Sequence, residues 1–133
     1  MREKRKNIVA RTVLIVDVST SMRQMVTFTL RGAGYEVIEG SNGQEALDRL
    51  TSTPTNKVDL VITDLNMPVM DGMTLIRQLR AKPSMRFTPI LMLTTESSDT
   101  RKAEGKAAGA TGWIIKPFQP EQLLRVIEKV LPT

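Results

Sequence analysis

The chain has 133 residues with no cysteine and no histidine; 41% are hydrophobic, 25% charged and 4% aromatic, and the formal charge is +5. That length suits one globular domain able to bury about two-thirds of its unfolded surface. The composition excludes a disulfide scaffold, a thiol nucleophile, a cysteine or histidine metal site and a Ser–His triad, leaving carboxylates, hydroxyls and lysines for chemistry.

In chain order, residues 1–11 carry Arg2, Lys4, Arg5, Lys6 and Arg11 against Glu3, so most of the positive charge sits on a short arm. Without apolar periodicity such an arm is expected to be solvated and flexible. The near-neutral remainder gives no support to a nucleic-acid partner. Ile8-Val9-Ala10 is too short for a signal-peptide core, and no later run approaches the roughly eighteen apolar residues of a membrane span. The expected location is the cytoplasm, with no membrane partner.

Val13-Leu14-Ile15-Val16 is a continuous apolar run of the kind covered on both faces of a parallel sheet. Ser19 or Thr20 can cap a helix in which Met22, Met25, Val26, Thr29 and Leu30 share one face, and Gly32-Ala33-Gly34 supplies its left-handed end. Tyr35 to Glu39 reads as a short strand. Ser41 with Gln44 reads as a capping box ahead of the stripe Ala46, Leu47, Leu50, and residues 51–57 as a polar connection. Leu60-Val61-Ile62 is a third strand ending at Thr63-Asp64, and Asp71-Gly72 opens a helix through Leu75, Ile76 and Leu79.

Pro89 introduces Ile90-Leu91-Met92-Leu93, a fourth strand ending at Thr94. Ser98 to Ala108 predicts an Ala-rich helix with little apolar stripe, hence loosely packed. Trp113-Ile114-Ile115 is the fifth strand, and Pro120 starts a last helix burying Leu123, Leu124, Ile127, Val130 and Leu131.

Five strand–helix pairs over residues 12–133 predict an α/β class: one doubly wound (βα)5 flavodoxin-like domain with a parallel sheet in the order 2-1-3-4-5. Ligands of such sheets bind at the carboxyl ends of the strands. There the sequence places Asp17, Asp64, Thr94 and Lys116. Singly, each has an ordinary explanation as a cap or a β-former. Together they suit anion chemistry: a carboxylate to be modified, a hydroxyl and an ammonium for the anion's oxygens, and a second carboxylate for Mg2+. Gly32-Ala33-Gly34 follows a helix and lacks the third glycine of a dinucleotide fingerprint, and Gly105-Lys106 lacks the spacing of a P-loop.

The segments Val13 to Arg23, Val61 to Gly72, Ile90 to Glu96 and Gly112 to Phe118 resemble the receiver domain of two-component response regulators, most closely the single-domain CheY-like chemotaxis type. The Asp64-Leu-Asn-Met-Pro-Val-Met-Asp-Gly72 and Lys116-Pro-Phe118 runs are its most specific motifs. The resemblance implies that Asp64 accepts a phosphoryl group from a histidine kinase, with Thr94 and Lys116 holding that group. It implies Mg2+ bound by Asp17, Asp64 and the backbone carbonyl of Asn66, and hydrolysis tuned by the side chains of Asn66 and Glu96. It also implies a cis Lys116–Pro117 peptide, and a switch in which Trp113, at the usual aromatic position, follows Thr94.

The domain is then a signalling switch and not an enzyme in the ordinary sense, catalysing only its own phosphoryl transfer and autodephosphorylation. With no output domain expected after Thr133, it would act through protein–protein contacts, with a target such as a flagellar motor switch protein on the face of the fourth helix, fifth strand and fifth helix. One position departs from the family: Val18 stands where a second acidic residue usually ligates the metal, which implies weakened Mg2+ affinity. The alternative is a phosphorylation-independent interaction module with an impaired metal site.

Overall fold

The computed structural model describes residues 10–52 and 58–131. Most of the expected basic arm, and residues 53–57 of the expected connection, lie outside the described residues. Strands β1 (Thr12–Val16), β2 (Glu36–Gly40), β3 (Leu60–Thr63), β4 (Ile90–Thr94) and β5 (Gly112–Ile115) alternate with helices α1 (Thr20–Gly32), α2 (Gly43–Ser52), α3 (Gly72–Arg80), α4 (Asp99–Ala108) and α5 (Pro120–Val130). A 3-10 turn, Pro83–Met85, precedes β4. All pairings are parallel, in the expected order β2-β1-β3-β4-β5.

Alternate strand residues feed two cores, which is why the central strands read as unbroken apolar runs. Val13, Ile15, Leu60, Ile62, Leu91 and Leu93 pack under α1 and α5 against Val26, Leu30, Leu123 and Ile127. Leu14, Val16, Val61, Ile90 and Met92 pack under α2 and α3 against Ala46, Leu50, Leu75, Ile76 and Leu79. Helices therefore cover both faces, and no helix among the described residues is long and apolar enough to cross a membrane.

Local caps set the element ends. Ser19 Oγ accepts the Met22 N–H at 3.2 Å, and α1 closes through Gly34 at φ 98°, with Tyr35 N–H returning to the Leu30 carbonyl. β2 starts one residue later than the pattern suggests, because Glu36 N–H makes the first bond across to Arg11. The cap of α2 is Asn42 and not Ser41. Asn42 Oδ1 accepts the Glu45 N–H at 2.8 Å, and the Glu45 carboxylate reaches back to the Ser41 N–H and hydroxyl, while Gln44 bonds Asp48. Helix α2 also takes in Thr51 and Ser52, whose hydroxyls bond back to Asp48 and Arg49 carbonyls. α4 buries Gly105 alone, in keeping with its weak stripe.

Candidate functional site

The crevice forms where β1 and β3 run side by side while the helices that follow them leave for opposite faces of the sheet. Val16 pairs with Thr63, so the next residues, Asp17 and Asp64, emerge together at the carboxyl end. Backbone bonds fix both: Asp17 N–H to the Gly40 carbonyl at 3.1 Å, and Asp64 N–H to the Val16 carbonyl at 2.9 Å. Lys116 leaves β5 with its N–H on the Thr94 carbonyl, and the following peptide to Pro117 is cis. Its ammonium reaches both carboxylates, 2.9 Å from Asp17 Oδ2 and 3.4 Å from Asp64 Oδ2.

The remaining carboxylate oxygens are also held. Asp17 Oδ1 accepts the Ser19 N–H at 2.9 Å, and Asp64 Oδ1 accepts the Leu65 N–H at 2.7 Å. Asp17 is nearly sealed, with its side chain 2% exposed, whereas the Asp64 side chain keeps 14% of its surface open to the crevice. Of the two carboxylates, Asp64 is the one an incoming group can reach. Burial pushes the Asp64 carboxyl above the usual carboxylate range; the Lys116 ammonium pulls it back, and the Asp17 charge adds to the rise.

Thr94 is buried at the end of β4, where its hydroxyl accepts the Glu96 N–H at 3.2 Å. The carbonyl of Glu96 in turn accepts the Trp113 Nε1–H at 2.8 Å. The indole lies against α4 at Gly105, where a Cβ would stand 2.6 Å from the ring. A hydrogen-bonded chain thus runs from the Thr94 hydroxyl through the Glu96 peptide to the partly buried Trp113. The sequence points to the Glu96 side chain; the contacts that hold this loop are made by its backbone. Asn66 is exposed two residues beyond Asp64. Gly72 is required there, since its N–H bonds the Leu65 carbonyl at 2.8 Å and any Cβ would collide with the Asp64 carbonyl.

One contributor escapes the sequence reading. The Arg23 guanidinium bonds the Asp17 and Val18 carbonyls and lies 3.3 Å from Glu39, tying the β1–α1 turn to β2. Its only sequence signal is a lone basic residue in the second turn of an amphipathic helix.

For a metal, the donors the structure brings together are hard oxygens, the carboxylates of Asp17 and Asp64. That set fits Mg2+, which keeps several of its waters and takes few protein ligands. Among the described residues no group of three or more acidic, cysteine or histidine side chains gathers to hold a metal. Val18, 45% exposed, adds no ligand.

Residues 13–128 match the response regulator receiver domain. The chain is 39% identical over 122 residues to the chemotaxis protein CheY1 of Helicobacter pylori, covering 91% of this chain and 97% of that protein. It is 39% identical to the chemotaxis protein CheY homolog of Campylobacter jejuni, covering 91% and 92%. The solved structure of Vibrio cholerae CheY4 superposes with a TM-score of 0.86 at 49% identity, covering 92% of this chain and 99% of that one.

Proposed function

The chain belongs to the response regulator receiver family, and from that membership we propose that it is a phosphoacceptor switch modified on Asp64. Receiver domains are signalling modules that generally bind Mg2+ at the phosphorylation site and interact with histidine kinases and downstream targets. The observation that carries the reading is the Lys116 ammonium bridging Asp17 and the more open Asp64.

In this reading an Asp64 oxygen attacks the phosphorus of a kinase phosphohistidine in line; the new P–O bond forms as the P–N bond breaks, and the imidazole leaves and takes up a proton. Lys116 shifts from the free carboxylate to the phosphoryl oxygens, and the Thr94 hydroxyl donates to a phosphoryl oxygen, a movement that draws its oxygen away from the Glu96 N–H it accepts. Bound Mg2+, held by Asp17, Asp64 and the Asn66 carbonyl, supplies neutralisation of the phosphoryl charge. Asn66 and Glu96, at the rim, govern how readily water removes the group, so the domain also dephosphorylates itself.

Release of the Glu96 N–H loosens the loop that Trp113 grips, which transmits the change to α4 and β5. The output is a contact on the α4–β5–α5 face with a partner such as a flagellar motor switch protein, in a cytoplasmic chemotaxis pathway. In this reading the receiver occupies residues 12–133, and residues 1–11 take no part in phosphoryl transfer.

Val18 favours weakened Mg2+ affinity, because two carboxylates already share one ammonium and no third joins them among the described residues. The same residue supports a second reading, a module that binds partners without phosphorylation. Titrating Mg2+ while following Trp113 fluorescence, then adding beryllofluoride, separates the two. A saturable response at millimolar Mg2+ that Val18→Asp moves to lower concentration supports the switch. No response in either protein supports the second reading.

A further inference from the structure

Asp17 is held at all four of its polar groups. Its N–H bonds the Gly40 carbonyl at 3.1 Å, its Oδ1 accepts the Ser19 N–H at 2.9 Å, and its Oδ2 lies 2.9 Å from the Lys116 ammonium. The fourth group, its carbonyl, is taken by the Arg23 guanidinium. The same guanidinium bonds the Val18 carbonyl at 3.3 Å, Thr20 Oγ1 at 3.4 Å and Glu39 Oε1 at 3.3 Å. One planar fork, 15% exposed, therefore joins the turn after β1 to the first residue of α1 and to β2.

Helix initiation and strand pairing are already provided for without it. Ser19 Oγ caps α1 through the Met22 N–H, and β1 pairs with β2 through the main chain. What the fork adds falls on the two peptides that carry Asp17 and Val18. Val18 offers no oxygen from its side chain, so the carboxylate that this turn brings to the crevice is that of Asp17 alone. Groups that orient a metal-binding carboxylate from behind set metal affinity about as strongly as a ligand does, by roughly ten- to a hundredfold.

We propose that Arg23 is a positioning residue for the phosphoacceptor site: by holding the Asp17 and Val18 carbonyls it fixes how the Asp17 carboxylate enters the crevice, and through it the affinity for a hard divalent cation. The inference rests on the phosphoacceptor reading and adds to it a residue that touches neither the phosphoryl group nor the metal. Without the fork the Asp17 carbonyl is released and the turn gains other conformations. Cation binding must then select the competent one, which lowers the apparent affinity by its population. Lysine, a point charge without a fork, can hold a carbonyl but cannot span the turn, Thr20 and Glu39 together.

The test is a Mn2+ titration of the full chain, with free Mn2+ counted by electron paramagnetic resonance and Mn2+ standing for Mg2+ at an all-oxygen site. Arg23→Met should weaken binding by about tenfold, and Arg23→Lys should recover part of that loss. Glu39→Gln keeps an oxygen for the Arg23 Nε–H and should bind like the parent. In the metal-free protein the Ser19 amide should exchange faster in Arg23→Met, and acceptance from acetyl phosphate should regain most of its rate at saturating cation. Should Arg23→Met not fold, Arg23→Lys must still bind more weakly than the parent. A lowered melting temperature with unchanged Mn2+ affinity, or a loss in Glu39→Gln equal to that in Arg23→Met, would overturn the positioning role alone. A parent protein that takes up no Mn2+ would overturn the phosphoacceptor reading and this proposal with it.

Discussion

Lys116 Nζ lies 2.9 Å from Asp17 Oδ2 across 99 residues of sequence, closer than its 3.4 Å approach to Asp64. The lysine therefore rests on the sealed carboxylate and leaves the more open one less firmly paired. Removing the ammonium with Lys116→Met takes away the chief influence holding the Asp64 carboxyl down. The Asp64 pKa should then rise above its already elevated value, as read by carboxyl-carbon NMR titration, and acceptance from acetyl phosphate should fall by about a hundredfold or more.

Burial makes ionised Asp64 a cost to the fold. Its folded-state pKa is raised, so the native protein binds this proton more tightly than the unfolded chain does. Stability from Asp64 is thus present at low pH and is lost as pH rises through the folded pKa. Asp64→Asn, which never ionises, should melt at a higher temperature than the parent protein at pH 7. That gap should narrow as pH is lowered toward the carboxyl range, measured by calorimetry at matched ionic strength.

The Trp113 indole depends on the absence of a side chain at Gly105. Gly105→Ala should destabilise the protein by about 1–3 kcal/mol through overpacking and shift the indole emission. Trp113→Phe should cost about 1 kcal/mol for the lost bond to Glu96 and speed amide exchange in the β4–α4 loop. In the double variant the smaller ring makes room for the methyl group, so denaturant melts should show less destabilisation than the two single changes added together.

Val69 sits in the loop after Asp64 at φ 69°, 87% exposed, with Met70 N–H closing a tight turn onto the Pro68 carbonyl at 2.7 Å. A β-branched residue is sterically strained there. Val69→Gly or Val69→Asn should stabilise the fold by about 1 kcal/mol in urea melts, with no change in Mg2+ affinity.

The sheet order was readable because β1, β3 and β4 are covered on both faces, so nearly every residue in them must be apolar. Asp17 and Thr94 were readable for the same reason, each being the first polar group after a buried run, and Asp64 follows Thr63 at the end of another; Lys116 follows the partly buried edge strand β5 and was placed by its Lys-Pro-Phe motif. Caps and edges were less visible. Ser41 and Asn42 can both cap α2, and the difference lies in which of Gln44 and Glu45 reaches back, which composition does not determine. The Glu96 backbone contacts and the Arg23 clamp arise from loop geometry that no periodicity encodes, and the seat of Trp113 on Gly105 is a tertiary contact that the sequence of α4 does not show.

The central claim is that Asp64 is the phosphoacceptor. Intact-protein mass spectrometry after incubation with acetyl phosphate and Mg2+ tests it most directly, with Asp64→Asn in parallel. The account predicts a gain of one phosphoryl group on the parent protein, removed by hydroxylamine as expected of an acyl phosphate and absent from Asp64→Asn. An unmodified parent protein at saturating acetyl phosphate, or a phosphoryl group retained in Asp64→Asn, would contradict it.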